Sequence, residues 1–289
     1  MEFIGVHSIE EALQMLSRYG EDATILAGGT DVMTQLDRRE IDTEVLLHIE
    51  ALDELKKIEL GNDRVEIGAL ATHRELAMMT LPYGDYTSIH SAAVSVGGWQ
   101  TQAVGTIGGN ICNASPAADL VPALLVHGAK VRLHSKKRGV RMLTLEEFLL
   151  GRRQTAREAD ELLTHISVEV LPKRTADVYL KVGRRSAMEV AIVGLALRMT
   201  MDEDFELIDD IRIATCATGP ISRRARRAED ILKGERWSLE RITDSGKALC
   251  RAVSPIDDVR GSAAYRMMVL PRLLERAMGQ CLEKIQSLS

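Results

Sequence analysis

A chain of 289 residues that is 45% hydrophobic and 27% charged is long enough to bury two cores and too apolar to be disordered. A net charge of −5 argues against general binding to nucleic acid or to a membrane surface, and no run approaches the about 20 apolar residues that span a bilayer. The four cysteines, at 112, 216, 250 and 281, form no Cys-x-x-Cys pair and have no histidine at ligand spacing, so free thiols are expected and no metal site in this chain.

The start, Met1-Glu2-Phe3-Ile4, lacks the basic residues and long apolar core of a signal peptide, which points to the cytoplasm. Ser8-Ile9-Glu10-Glu11 reads as a capping box. Ile9, Ala12, Leu13 and Leu16 then repeat at helical spacing up to Gly20. Ala23 to Ala27 reads as a short buried strand. Gly28-Gly29 follows, then Thr30 or Asp31 as the N-cap of a helix from Val32 to about Arg38. Strand, tight turn and helix start form the local geometry that binds phosphate, although a plain strand-to-helix turn has the same pattern.

Glu44 to Ile49 and the alternating Arg64 to Gly68 read as strands. Thr72-His73-Arg74-Glu75 is a second capping box, Pro82 and Gly84 mark a loop, and Ile89 to Val96 is helical up to Gly97-Gly98. Trp99 to Val104 leads into Thr106-Ile107-Gly108-Gly109-Asn110. Paired glycines there let backbone approach a ligand, while the Thr hydroxyl and Asn amide offer donors to phosphate oxygens. The segment from Ser115 to Gly128 ends in an apolar helix. Pro122 is tolerated only in a first turn, which places Asp119 near the helix start, as an N-cap or as a ligand contact.

Ala129 to His134 and Val140 to Leu143 form a hairpin around Lys136-Lys137-Arg138-Gly139, and Thr144-Leu145-Glu146-Glu147 is a third capping box. Residues 152–160 are a charged surface loop, Leu162 to Val170 is a strand, and Pro172-Lys173 marks a boundary. Ala187 to Thr200 and Leu207 to Ala217 read as an antiparallel hairpin around Met201-Asp202-Glu203-Asp204. Ser222 to Leu232 reads as a helix carrying Arg223, Arg224, Arg226 and Arg227, a solvated face or a docking patch. Ser238 to Ala252 and Ser262 to about Leu288 are the closing helices.

The ordered set Ala27-Gly28-Gly29-Thr30-Asp31, Gly105-Thr106-Ile107-Gly108-Gly109-Asn110, Ser115-Pro116 with Asp119, Tyr179-x-Lys181 with Arg184-Arg185, and Asp258-x-Arg260-x-Ser262 with Tyr265-Arg266 resembles the FAD-binding medium subunits of molybdenum hydroxylases. The resemblance runs over essentially the whole chain. It implies an α+β fold: a two-subdomain PCMH-type FAD-binding domain over 1–173 (subdomains about 1–55 and 56–173), then a C-terminal antiparallel sheet with a helical layer over 174–289. It also implies that Ile25, Leu26, Ala27, Gly28, Gly29, Thr30, Asp31 and Val32 hold the FAD diphosphate together with Thr106, Gly108, Gly109 and Asn110. Asp119, Lys181 beside the flavin and a backbone contact near Leu163 complete the site, and no side chain is required as a catalytic acid or base.

The implied activity is electron transfer, as an oxidoreductase subunit of the xanthine dehydrogenase type. Electrons come from a small [2Fe–2S] subunit beside a molybdopterin-binding large subunit and leave to NAD⁺ or another acceptor. A self-contained FAD oxidase or reductase on the same scaffold is the alternative. A doubly wound nicotinamide dehydrogenase is excluded by the absence of Gly-x-Gly-x-x-Gly after an early strand. Relatives commonly carry Gln-Ile-Arg-Asn before the second glycine pair; here the residues are Gln100-Thr101-Gln102-Ala103, without that fixed positive charge.

Overall fold

The computed structural model describes residues 1–61, 63–79, 86–185 and 188–287. The loop expected at Pro82 and Gly84 lies outside the described residues, as do Ala187 and Leu288.

The first layer comprises β1 (Glu2–Gly5), α1 (Ile9–Tyr19), β2 (Ala23–Leu26), α2 (Val32–Asp37) and β3 (Val45–His48), with the three strands parallel in the order β1-β3-β2. The Ser8 hydroxyl accepts the Glu11 N–H and Gly20, at φ 55°, ends α1. The expected capping box is half made, because the Glu11 carboxylate accepts the N–H of His7 instead of that of Ser8. Ala12, Leu13 and Leu16 seal the sheet against Val45 and Leu47.

Next come β4 (Ile58–Leu60), β5 (Arg64–Gly68), α3 (His73–Met78), α4 (Thr87–Ser95), α5 (Trp99–Val104), α6 (Ile107–Cys112) and α7 (Leu120–Val126). They are followed by β6 (Lys130–Ser135), β7 (Gly139–Thr144), α8 (Leu145–Phe148), a small hairpin of β8 (Leu149–Gly151) and β9 (Gln154–Thr155), and β10 (Glu161–Glu169). The larger sheet is antiparallel, in the order β4-β5-β10-β6-β7. Both expected capping boxes, at Thr72 and Thr144, are complete. Two helices went unread in the sequence. Trp99–Val104 is α5, and the second glycine pair lies in the first turn of α6. Part of the loop expected over 152–160 is β9.

The remainder is β11 (Thr175–Val182), β12 (Val193–Met201), β13 (Ile208–Cys216), β14 (Arg223–Arg224), α9 (Arg226–Leu232), α10 (Leu239–Arg251) and α11 (Ala263–Ser287). The four strands form an antiparallel sheet in chain order, and β12–β13 is the expected hairpin. The helix expected from Ser222 starts only at Arg226. Arg223 and Arg224 instead pair with β13, and Arg224 is held by Glu229 at 2.7 Å. Pro271, inside α11, sits against Gly246 of α10, where a Cβ would lie 3.1 Å from the proline ring.

One face of the four-stranded sheet packs on α11 through Ala176, Val178, Leu195 and Leu274. The other face receives α4 and α7. On β11 the period of two sends Asp177, Tyr179 and Lys181 to that second face. Asp177 accepts the N–H groups of Thr87 (3.1 Å) and Ser88 (2.8 Å), two first-turn donors that have no carbonyl partner within α4. The Ser88 hydroxyl donates to Asp177 as well, His127 Nε2 adds a fourth contact at 2.9 Å, and Ser88, His127 and Asp177 are all buried. A single imidazole nitrogen meets both Ser88 and Asp177. That is a helix clamp, unlike a nucleophile–base relay, which uses the two ring nitrogens separately.

Burial pushes the Asp177 carboxyl upward, but the hydrogen bonds and charge of His127, with those of Ser88, outweigh it and hold the pKa below the usual range. A depressed pKa stabilises the fold above the unfolded value of about 4, and that stability is lost as pH falls through the folded value. Asp177→Ala is expected to cost about 3 kcal/mol by urea unfolding at neutral pH. Asp177→Asn is expected to flatten the loss of stability below about pH 4.

Candidate functional site

The two glycine pairs meet in space. A Cβ on Gly28 would overlap the carbonyl of Val104 and lie 3.1 Å from the N–H nitrogen of Gly105, so the first turn abuts the segment that enters the second. Gly108 is equally enclosed: a Cβ there would lie 2.7 Å from the carbonyl oxygen of Ala69, which also accepts the Gly108 N–H at 2.9 Å. These two glycines therefore permit backbone to touch backbone. Their partners differ. Gly29, at φ 70°, needs the left-handed conformation that glycine adopts without penalty. A Cβ on Gly109 would meet Thr106 Oγ1 alone, at 3.1 Å.

Thr106 is the N-cap of α6 and its hydroxyl accepts the Gly109 N–H at 3.1 Å, leaving the hydroxyl proton to donate elsewhere. The amide oxygen of Asn110 is buried and has no hydrogen-bond partner among the described residues. Asp31 occupies the N-cap position of α2 without a side-chain cap bond. Gln35 of α2 donates to Asn113 at 3.1 Å, which ties the first turn to the end of α6.

Ile25 and Leu26 end β2 and deliver Ala27 to the turn; Thr30 is exposed and Val32 begins α2. Leu163 is a core residue of β10 beside a register shift. Its backbone neighbourhood reaches the second turn by two steps: Ala69 N–H bonds the carbonyl of Thr164 (2.9 Å), and Ala69 receives Gly108.

Asp119 and Lys181 form a second group. Lys181 Nζ lies 2.9 Å from Asp119 Oδ2 and donates to the carbonyl of Ser95 at 2.8 Å. Tyr179 donates to Asp119 Oδ1 at 2.6 Å. Asp119 stands at the start of α7 but makes no cap bond there; its carboxylate is given wholly to β11. Burial pushes the Asp119 carboxyl up, opposed by the Lys181 ammonium and the Tyr179 hydroxyl. The buried Tyr179 hydroxyl lies 3.6 Å from Cys216, whose thiol is pushed up to about 12 by burial and by Asp119. That thiol is inert at neutral pH. The α6–α7 packing joins this group to the glycine turns.

Sequence reasoning missed Tyr179 as the partner of Asp119, the Ser95 carbonyl as the partner of Lys181, and His73. The His73 ring packs where a Gly105 Cβ would stand, and burial lowers its pKa to about 4, so it is neutral. Gln102, where the arginine of relatives was expected, donates to the carbonyls of Val94 (2.8 Å) and Val96 (3.0 Å). Gln102 thereby holds the end of α4 beside the Lys181 ammonium on the Ser95 carbonyl.

A partnerless buried amide oxygen at a helix start, with a second glycine turn packed on the segment that enters that helix, suits an elongated, anionic dinucleotide with amine and hydroxyl donors. Residues 1–170 match the family described as FAD binding domain in molybdopterin dehydrogenase, and residues 178–281 match the CO dehydrogenase flavoprotein C-terminal domain. The chain belongs to the FAD-binding subunits of the molybdenum hydroxylases. This flavoprotein subunit is 30% identical over 285 residues to caffeine dehydrogenase subunit beta of Pseudomonas sp. (strain CBB1), covering 98% of this chain and 95% of that one. It is 27% identical to the carbon monoxide dehydrogenase medium chain of Hydrogenophaga pseudoflava, covering 96% of this chain and 95% of that one. The solved carbon monoxide dehydrogenase from H. pseudoflava, in a form lacking the Mo-pyranopterin moiety, superposes with a TM-score of 0.92 at 27% identity over 96% of each chain. The flavoprotein subunit is thus an oxidoreductase component whose cofactor is FAD. No helix among its described residues is long and apolar enough to cross a membrane.

The unequal glycines predict unequal substitutions. Gly28→Ala is expected to destabilise the chain by about 3 kcal/mol in denaturant unfolding, because its Cβ meets fixed backbone. Gly109→Ala is expected to remain within about 1 kcal/mol of the parent in the same measurement.

Proposed function

We propose that this chain is the electron-transfer flavoprotein subunit of a molybdenum hydroxylase. It stands between the [2Fe–2S] clusters of a small partner, fed by a molybdopterin-binding large partner, and NAD⁺ or another acceptor. The observation that supports it best is the meeting of the two glycine turns, with the buried Asn110 amide oxygen left without a partner among the described residues beside them. The division of labour follows the sheets: residues 1–173 hold the cofactor, with subdomains of about 1–55 and 56–173, and residues 174–289 close over it from β11.

Bound FAD supplies the exchange between one-electron and two-electron chemistry. The chain supplies binding and electrostatics. Ile25 to Val32 and Thr106 with Gly108 to Asn110 surround the diphosphate, with Gly28 and Gly108 bringing the turns together and Gly29 and Gly109 facing it. The backbone near Leu163 supports the second turn. Lys181, fixed by Asp119 and the Ser95 carbonyl, sets a cation beside the flavin, which favours added negative charge there. Asp119 acts through Lys181 and Tyr179, since both its oxygens are engaged by them.

The gently purified chain is expected to carry FAD, read as visible flavin absorption in the folded protein, and Gly109→Val is expected to abolish it while the chain still folds. Normal flavin content in that variant removes the glycine junction from the site. In the assembled complex, Lys181→Ala is expected to keep reduction of a dye that takes electrons before the flavin and to slow NAD⁺-linked turnover about tenfold; equal rates in both assays exclude the role given to Lys181.

A further inference from the structure

The motif Asp258-x-Arg260-x-Ser262 with Arg266 lies far along the chain from the glycine turns, yet its contacts lead to Asp119. Arg266, in the first turn of α11, is among the largest fully buried side chains. Its guanidinium bonds Asp258 Oδ1 at 2.7 Å and the carbonyl of Ala217 at 2.9 Å, and its Nε has no partner among the described residues. Asp258 is shared with Arg260, whose Nη1 donates to the carbonyl of Ala191 at 3.1 Å. Ala191 and Ala217 pack with Ala117 and Cys216 in one small buried cluster.

Ala217 is the informative residue. Its φ is 58°, a left-handed conformation that costs an alanine on the order of 1 kcal/mol and persists only where its surroundings hold it. Two bonds hold it. Arg266 takes its carbonyl, and its own N–H is donated to the carbonyl of Pro116 at 2.7 Å. Pro116 begins the short turn that ends at Asp119, and Asp119 receives Tyr179 and Lys181. A continuous path therefore runs from α11 through Arg266, Ala217 and Pro116 to the carboxylate that fixes Lys181.

We propose that Arg266 is a positioning residue for the Asp119 turn, acting through the strained Ala217 peptide and its hydrogen bond to Pro116. Its consequence for flavin binding rests on the function proposed above; the local effect on the turn does not. A buried arginine needed only to pack α11 has no reason to sit on a left-handed alanine that bonds the turn of another layer.

The test uses the full chain and compares amide hydrogen exchange in wild type, Arg266→Met and Arg266→Met/Ala217→Gly. Arg266→Met is expected to speed exchange of the Ala117–Leu120 amides at least tenfold, with the β6 amides within twofold of wild type. Ala217→Gly is expected to restore at least half of that protection, because glycine holds the left-handed conformation unaided. With FAD loaded, Arg266→Met is also expected to release it about tenfold faster. Unchanged exchange at Ala117–Leu120, equal acceleration in β6, or no rescue by Ala217→Gly each overturns the proposal. If Arg266→Met does not accumulate, Arg266→Lys, which keeps the charge but cannot span both partners, carries the same comparison. A wild type that binds no FAD defeats the flavin reading while leaving the exchange result intact.

Discussion

The structure depends on how one polar strand face meets two helices. β11 advances about 13 Å from residue 177 to 181, and α4 rises about 10 Å from residue 88 to 95, so strand and helix match in length. The acid of β11 accepts the first N–H groups of α4, and the ammonium of Lys181 sits on a carbonyl at the other end. Both charges oppose the helix dipole, in the favourable sense at each end. Tyr179, midway, reaches Asp119 at the start of α7. Three alternate residues thus fasten the C-terminal sheet to the cofactor-binding layer and bring Lys181 into the site. A strand fully apolar on both faces would bury as much surface but would leave the start of α4 without its acid and its end with Gln102 alone.

The glycines divide the remaining work. Gly28 and Gly108 allow close backbone contact within the protein, whereas a Cβ on Gly29 or Gly109 would meet only side chains, those of Met33 and Leu26 or of Thr106. Paired glycines are therefore read best one residue at a time, since the two members of each pair meet different neighbours. Gly194 belongs to the first kind: a Cβ there would lie 2.5 Å from the Tyr179 hydroxyl and 2.6 Å from Cys216 Sγ, so its absence lets both side chains approach Asp119.

Where hydrophobic period and solvent agreed, the sequence was readable. The amphipathic α1, the alternating β5 and β6 and the β12–β13 hairpin lie where their patterns place them. β11 escaped because its polar alternate residues are buried against helices instead of facing water, a tertiary arrangement that a local pattern does not report. The helix α6 escaped because glycine is a poor helix former, and only the Thr106 cap marks its start. The clustering of Asp119 with Lys181 was legible as a set of motifs but not as an ion pair, since 62 residues separate the two in the chain. Tyr179 was visible inside its motif, yet its hydrogen bond depends on the position of α7.

The contact of Gly28 with the Val104 carbonyl also bears on biogenesis. Neither turn is complete without the other, and the strand that brings Lys181 follows both. A nascent polypeptide released only as far as α4 lacks both the segment that packs on Gly28 and the β11 residues that bond the two ends of that helix. The packing of these earlier elements therefore waits on chain made much later: the Gly28 turn on Val104, and both ends of α4 on residues 177 to 181.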